Sequence, residues 1–231
     1  RHVEDYRAAL DYVRGPSLAG KIDPSRVAIW GTSFAGGHVL KVAAADAAPK
    51  DVGGIRAVVS QVPHLDGKAA SKRSLQLRGR AGSLKMAAAT VGDVLRGLLG
   101  MQARYVSNVS SHASGQIGLM MLSERDYASY FEKHPAEYLG GWRNQVCARV
   151  GAMVGLYSPI KALPEVKTPV LFVAAEKDDL CPVDTVRKAA ALAPNAKLSV
   201  HDVSHFEIYM GHAFQAILKD MGDFLVEHLE P

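Results

Sequence analysis

Residues 26–37 read RVAIWGTSFAGG, and the fold turns on how this stretch is taken. Arg26–Trp30 is a short apolar run whose Val and Ile favour a strand, and its length suits a buried one. It meets Gly31-Thr32-Ser33-Phe34-Ala35-Gly36-Gly37, after which the alanine-rich residues His38–Ala48 read as a helix. Ile55–Ser60 (IRAVVS) is the next buried strand. Strand, helix and strand at this spacing make a parallel βαβ unit.

Working outward, Tyr6, Leu10 and Val13 recur at helical spacing, so residues 2–14 read as a helix ending near Gly15-Pro16. After the insertion, Pro169–Ala174 (PVLFVA) is a strand, Val183–Leu192 a helix, Lys197–His201 a strand and His212–His228 a long amphipathic helix. Between the two α/β parts, residues 63–168 break the alternation and read as helices. The chain therefore divides into 1–62, the first part of an α/β core; 63–168, a helical insertion; and 169–231, the second part of the core.

With 231 residues, 48% hydrophobic and 22% charged, the composition fits a globular protein with a real core. Twenty-seven basic against 23 acidic residues leave a net charge of only +4, and no basic run is interleaved with aromatics, so nucleic acid is not an expected partner. No 18-residue apolar run points to a membrane span. Two cysteines, Cys147 and Cys181, imply no disulfide framework, and a reduced cytoplasmic setting is the expectation. Zinc-type Cys/His spacing, a phosphate-binding GxxxxGK[ST] loop and GxGxxG are all absent, so neither metal nor cofactor is expected.

A serine on a sharp strand-to-helix turn has its hydroxyl forced out at the carboxyl end of the sheet. Small residues are required two before and two after it, where strand and helix backbones nearly touch, and Gly31 and Ala35 qualify. The helix amino end aims free N–H groups at the same place, which makes the Phe34 N–H a natural oxyanion donor. An ordinary helix cap followed by a glycine-rich turn would give similar letters.

A serine hydroxyl is a poor nucleophile near neutral pH unless a base lies within hydrogen-bond reach and a third group orients that base. The loop after PVLFVA contains Glu176, Asp178 and Asp179; the loop after KLSVH contains His205. Both open at the carboxyl edge of the sheet, where α/β proteins place their sites. Asp178 is favoured over its neighbour Asp179 as the acid. His205 is favoured over His201, which ends its strand.

WGTSFAGG, VLFVAAEKDDLCP and VSHFEIY together resemble the α/β-hydrolase superfamily, and within it the serine hydrolases of the dienelactone hydrolase and prolyl oligopeptidase-like group. Ser33 matches the serine of the family's GxSxGG motif. Asp178 stands four residues before Pro182, and His205 precedes Phe206 and Tyr209, as the family's acid and base motifs do. Ala35 and Ala175 replace the usual glycines. The resemblance implies the α/β-hydrolase fold and a nucleophile–acid–base triad of Ser33, Asp178 and His205. It also implies an acyl-enzyme route that cleaves a carboxylic ester or thioester. Peptide or amide cleavage, carbon–carbon bond hydrolysis and a non-catalytic binding role remain open beside it. A small acyl substrate, thioester-linked in one version, is the expected partner. A family member also carries strands ahead of its nucleophile strand, along with a loop bearing a second oxyanion donor. The expectation is therefore a preceding N-terminal segment that pairs with Arg26–Trp30, whose far edge would otherwise lie open.

In the family, such an insertion caps the serine and sets substrate choice. Met86, Val91, Val94, Leu95, Leu98, Leu99 and Met101 fall largely on one helical face, to hold the cap to the core or to line an apolar pocket. Met120, Met121 and Leu122 add a second apolar patch. Lys72, Arg73, Arg78, Arg80 and Lys85 form a basic run that is either a solvated face or a dock for an anionic partner. Trp142, Arg143 and Asn144 are candidates for holding the cap closed.

Overall fold

The computed structural model describes residues 2–49, 53–132, 141 and 143–230. Its centre is a four-stranded parallel sheet in the order β1-β2-β6-β7, made of β1 (Val27–Thr32), β2 (Ile55–Gln61), β6 (Val170–Ala175) and β7 (Ala196–His201). Strand β6 is apolar and buried at every position, and β2 is buried at every position but Arg56, because both faces of these middle strands are covered. On one face Val58, Val170, Phe172 and Ala174 pack with Leu40 and Val42 of α2 (Phe34–Ala45) and with Val186 of α6 (Val183–Leu192). That cluster also holds Leu10, the one buried residue of α1 (His2–Arg14). On the other face Ala57, Val59, Leu171 and Val173 pack with Ile217 and Phe224 of α7 (Phe214–Leu229). The period-two alternation of strand side chains thus feeds two cores at once. Burying a side chain such as Phe172 is worth about 1.5–3 kcal/mol.

The outer edge of β1 pairs with no strand among the described residues. Trp30 is half exposed there, and the Tyr6 hydroxyl of α1 donates to its carbonyl (3.1 Å).

The segment between β2 and β6 departs from its all-helical reading. It contains α3 (Gly67–Leu98), α4 (Glu124–Glu132) and α5 (Val150–Leu156). It also contains a three-stranded sheet in the order β4-β3-β5, formed by β3 (Tyr105–Ser111), β4 (Gly118–Leu122) and β5 (Val146–Cys147). Strand β3, YVSNVSS, is rich in serine and short in apolar residues, so it carried little strand signal. Its Ser110 and Ser111 are buried all the same, as is Val109. Asp66 caps α3, its carboxylate accepting from the Lys68 and Ala69 amides. The helix breaks at Gly79, whose φ of 72° lies in the left-handed region. Buried Asp93 ties the far half of α3 to the entry of α5, accepting from both the amide and the guanidinium of Arg149.

Most of the apolar face expected on and just after α3 neither packs on the core nor lines a pocket. Met86 is buried, but Val91, Val94, Leu95, Leu98, Leu99 and Met101 are exposed to solvent. Met121 and Leu122 do enter the interior of the insertion. Trp142 lies outside the described residues, whereas Asn144 brackets β3, its side chain bonding both the amide and the carbonyl of Val109. Among the described residues, no helix is long and apolar enough to cross a membrane.

Candidate active site

Ser33 links β1 to α2 with φ 53° and ψ −118°, a conformation that L-residues rarely adopt and that costs of order 1–3 kcal/mol. The surroundings over-determine it. The Ser33 amide donates to the Gln61 carbonyl (2.8 Å), while its own carbonyl accepts from the amides of His64 (2.8 Å) and Gly36 (3.0 Å). A Cβ added at Gly31 would collide with the Ala35 carbonyl, which is the steric reason for small residues on both sides of the serine. At Gly37 a Cβ would strike the His64 carbonyl, so α2 sits tight against the exit of β2. A second strained residue stands at that exit: buried Val62 has φ 36°, unusual for a β-branched residue.

Three side chains predicted from separate loops meet at this edge. His205 Nε2 lies 3.1 Å from Ser33 Oγ, and His205 Nδ1 lies 2.8 Å from Asp178 Oδ2. A carboxylate can only accept, so Nδ1 carries the proton and Nε2 is left to accept from the serine hydroxyl. The other carboxylate oxygen of Asp178 accepts from the amides of Leu180 (2.8 Å) and Cys181 (2.7 Å), which fixes its plane. The two loops are joined in turn, the Glu176 amide donating to His201 C=O and the Lys177 amide to Val203 C=O. His205 is 2% exposed and packs edge-on against Phe206 and Tyr209. Tyr209 meets Thr32 at 2.6 Å, tying the His205 loop to β1; burial pushes its phenol up to about 12. Phe34 begins α2, so its amide has no partner within the helix and is free to serve as a donor beside Ser33.

The competing residues lie elsewhere. Asp179 turns away from His205 to an ion pair with Arg73 of α3. Burial alone would raise its carboxyl, but hydrogen bonds from Ser123 and Arg73 prevail and hold it below the ordinary range. His201 bonds Ser199 and Asp220, and Glu176 pairs with Arg187. Of the basic run, Arg73 is committed to Asp179 and Arg78 to the carbonyls of Gly118 and Leu119. Lys72, Arg80 and Lys85 are exposed.

Sequence reasoning missed several neighbours. His64, three residues past β2, stacks with Tyr157 and lies beside Phe34; burial lowers its imidazole below the ordinary range. Its place just beyond a parallel strand's carboxyl end was the available signal. Cys181 is buried next to Asp178, and burial together with the Asp178 charge drives its thiol well up, against a thiolate. Asp178, Cys181 and His205 form a close acid–thiol–imidazole group, but both carboxylate oxygens of Asp178 are already engaged by N–H donors.

A cavity of about 470 Å³ opens beside the acid loop, lined by Arg73, Ser123, Arg125 and residues 176–179. A larger concavity of about 710 Å³ lies within the insertion around Arg104, Tyr105, Gln116 and Tyr127. It contains none of the three converging residues, so chemistry rather than size selects the site.

No protein-family model matches the chain. It is 34% identical over 223 residues to the quorum-quenching protein AidA of Acinetobacter baumannii (strain MDR-ZJ06), a match covering 96% of this chain and 67% of that protein. Among solved structures it is similar to the alpha/beta hydrolase GrgF from Penicillium sp. sh18, with a TM-score of 0.70, 19% identity, and coverage of 98% of this chain and 71% of that one. It is also similar to DcsB, solved in complex with its substrate analogue, with a TM-score of 0.72, 19% identity, and coverage of 99% and 72% respectively.

Proposed function

We propose that this chain, which belongs to the α/β-hydrolase superfamily, is a serine hydrolase that cleaves a carboxylic ester or thioester through an acyl-enzyme. The observation that carries the reading is the continuous hydrogen-bonded line from Ser33 Oγ through His205 to Asp178. In this mechanism His205 Nε2 takes the Ser33 proton as Oγ attacks the acyl carbon. Asp178 holds the imidazole in the required tautomer and stabilises the imidazolium that forms. The Phe34 N–H faces the oxyanion of the tetrahedral intermediate, and one such donor is worth about 2.7–4 kcal/mol in the transition state. Protonated His205 then delivers its proton to the leaving alcohol or thiol. Water, deprotonated by the same nitrogen, attacks the acyl-serine and releases the acid.

The quorum-quenching name of the relative in Acinetobacter baumannii supports a quorum-signal molecule as the first substrate class to try. The exposed Lys72, Arg80 and Lys85 leave an anionic, thioester-bearing partner as a second class. The test is a hydrolysis panel of short- and medium-chain esters, cyclic esters, acyl thioesters and aminoacyl amides, run on the chain and on Ser33→Ala. Turnover of an ester or thioester that vanishes in Ser33→Ala is the expected result. Turnover confined to amides would move the reading to peptide or amide cleavage, and equal turnover in both proteins would remove it.

A further inference from the structure

The outward side of α3 carries an apolar stripe that nothing among the described residues covers. After the break at Gly79, Leu84, Val91, Val94, Leu95 and Leu98 recur at spacings of three, four and seven, and Leu99 continues them. At 3.6 residues per turn these six side chains fall within about 140° of the helix circumference. Leu84, Leu98 and Leu99 are 72%, 79% and 74% exposed. Met86, Ala89 and Asp93 are buried on the opposite side, so the helix is seated on the protein and the stripe is its outer face. The charges around the stripe have one sign. Between Gly67 and Ser123 the sequence holds eight Lys and Arg and a single acid, Asp93. That acid is buried against Arg149, so it answers none of the exposed cations. Arg80 stands at the amino end of the stripe. Lys85 and Arg96 lie roughly 40–60° beyond one edge of it. Helix α5, which packs on α3, adds exposed Met153 and Leu156 and no acid.

We propose that this face of α3 docks on the surface of an anionic bilayer, its leucines inserted and Arg80, Lys85 and Arg96 among the headgroups. A contiguous aliphatic surface is unfavourable in water and marks a place of contact. Its charge selects the occupant. A second copy meeting it about a two-fold axis would bring like-charged edges together, with no exposed acid on the helix to pair them. An anionic bilayer supplies both complements, acyl chains for the leucines and negative headgroups for the flanking cations. The contact is peripheral, since no helix among the described residues is long and apolar enough to cross a membrane. It is independent of the reading of Ser33, because none of these residues belongs to the site around His205 and Asp178.

The test is co-sedimentation of the chain with two kinds of vesicle, phosphatidylcholine alone and an equal mixture of phosphatidylcholine and phosphatidylglycerol. Two double variants accompany it. Leu95→Glu with Leu98→Glu charges the stripe, and Arg80→Gln with Lys85→Gln removes two exposed cations. All four positions are exposed, so both variants should keep the fold, which circular dichroism checks. The native chain should bind the mixed vesicles and leave phosphatidylcholine largely unbound, and added salt should weaken the binding. The glutamate pair should abolish it. The glutamine pair should weaken it by about thirtyfold, near fivefold for each cation. If the glutamate pair does not fold, the glutamine pair decides by the same loss. Native chain that fails to bind the mixed vesicles, binds both kinds equally or binds through the glutamate pair would overturn the proposal. So would a dimer in sedimentation equilibrium that the glutamate pair dissociates, because a second copy would then cover the face.

Discussion

The parallel sheet and the insertion are built by opposite means. In the sheet, β2 and β6 are apolar on both faces, and the backbone at each carboxyl end is tied to its neighbour strand, so three loops deliver Ser33, Asp178 and His205 to one point. In the insertion, the interior is mixed. Buried Asp93, Ser110, Ser111 and Asp126 sit among the apolar residues, while Leu95, Leu98 and Leu99 face solvent. The first region is specified by pattern, the second by particular polar partners. Precision in the site should accordingly depend on the sheet's loops and tolerate change on the insertion's outer face.

The largest expected contrast is between adjacent aspartates. Asp178→Asn should lower turnover by roughly 10⁴, as loss of the base's tautomer does in a Ser-His-Asp triad. Asp179→Asn should cost less than about tenfold, because its ion pair with the partly exposed Arg73 is worth about 1 kcal/mol or less. Steady-state rates on any ester the chain turns over will check this, and equal losses would break the separation of roles. Next in size, Gly31→Ala should destabilise the fold by about 1–3 kcal/mol or more through overpacking against the Ala35 carbonyl. Denaturant unfolding measures it, and a neutral result would mean that strand and helix are not packed this tightly at the turn. Smallest, Val91→Glu on the exposed face of α3 should change stability by about 0.5 kcal/mol or less. A larger loss would show that this face is covered in solution.

The same contrast explains what could be read from the letters. RVAIW, IRAVVS and PVLFVA announce strands by length and β-branched content, although in β1 only Ile29 and Gly31 are buried, and Ser33, Asp178 and His205 stand in the loops after such strands. In the structure Asp178 lies within hydrogen-bond reach of His205, and Asp179 pairs with Arg73. Periodicity says nothing about a strand such as YVSNVSS, whose buried serines gain their place through long-range pairing with β4 and β5. Nor could it reveal Asp126, since an acidic residue in an amphipathic helix reads as solvent-facing until the packing partner is known. The exposed apolar residues of α3 mislead for the converse reason: helical spacing identifies a face but not what covers it.

The proposed function requires Ser33 to be an activated nucleophile. Reaction of the native chain and of Ser33→Ala with a fluorophosphonate, followed by intact-mass and peptide mass spectrometry, tests it most directly. A single adduct on Ser33 in the native chain and none in the variant is the expected result. An adduct on another residue, or one that persists in Ser33→Ala, would contradict it.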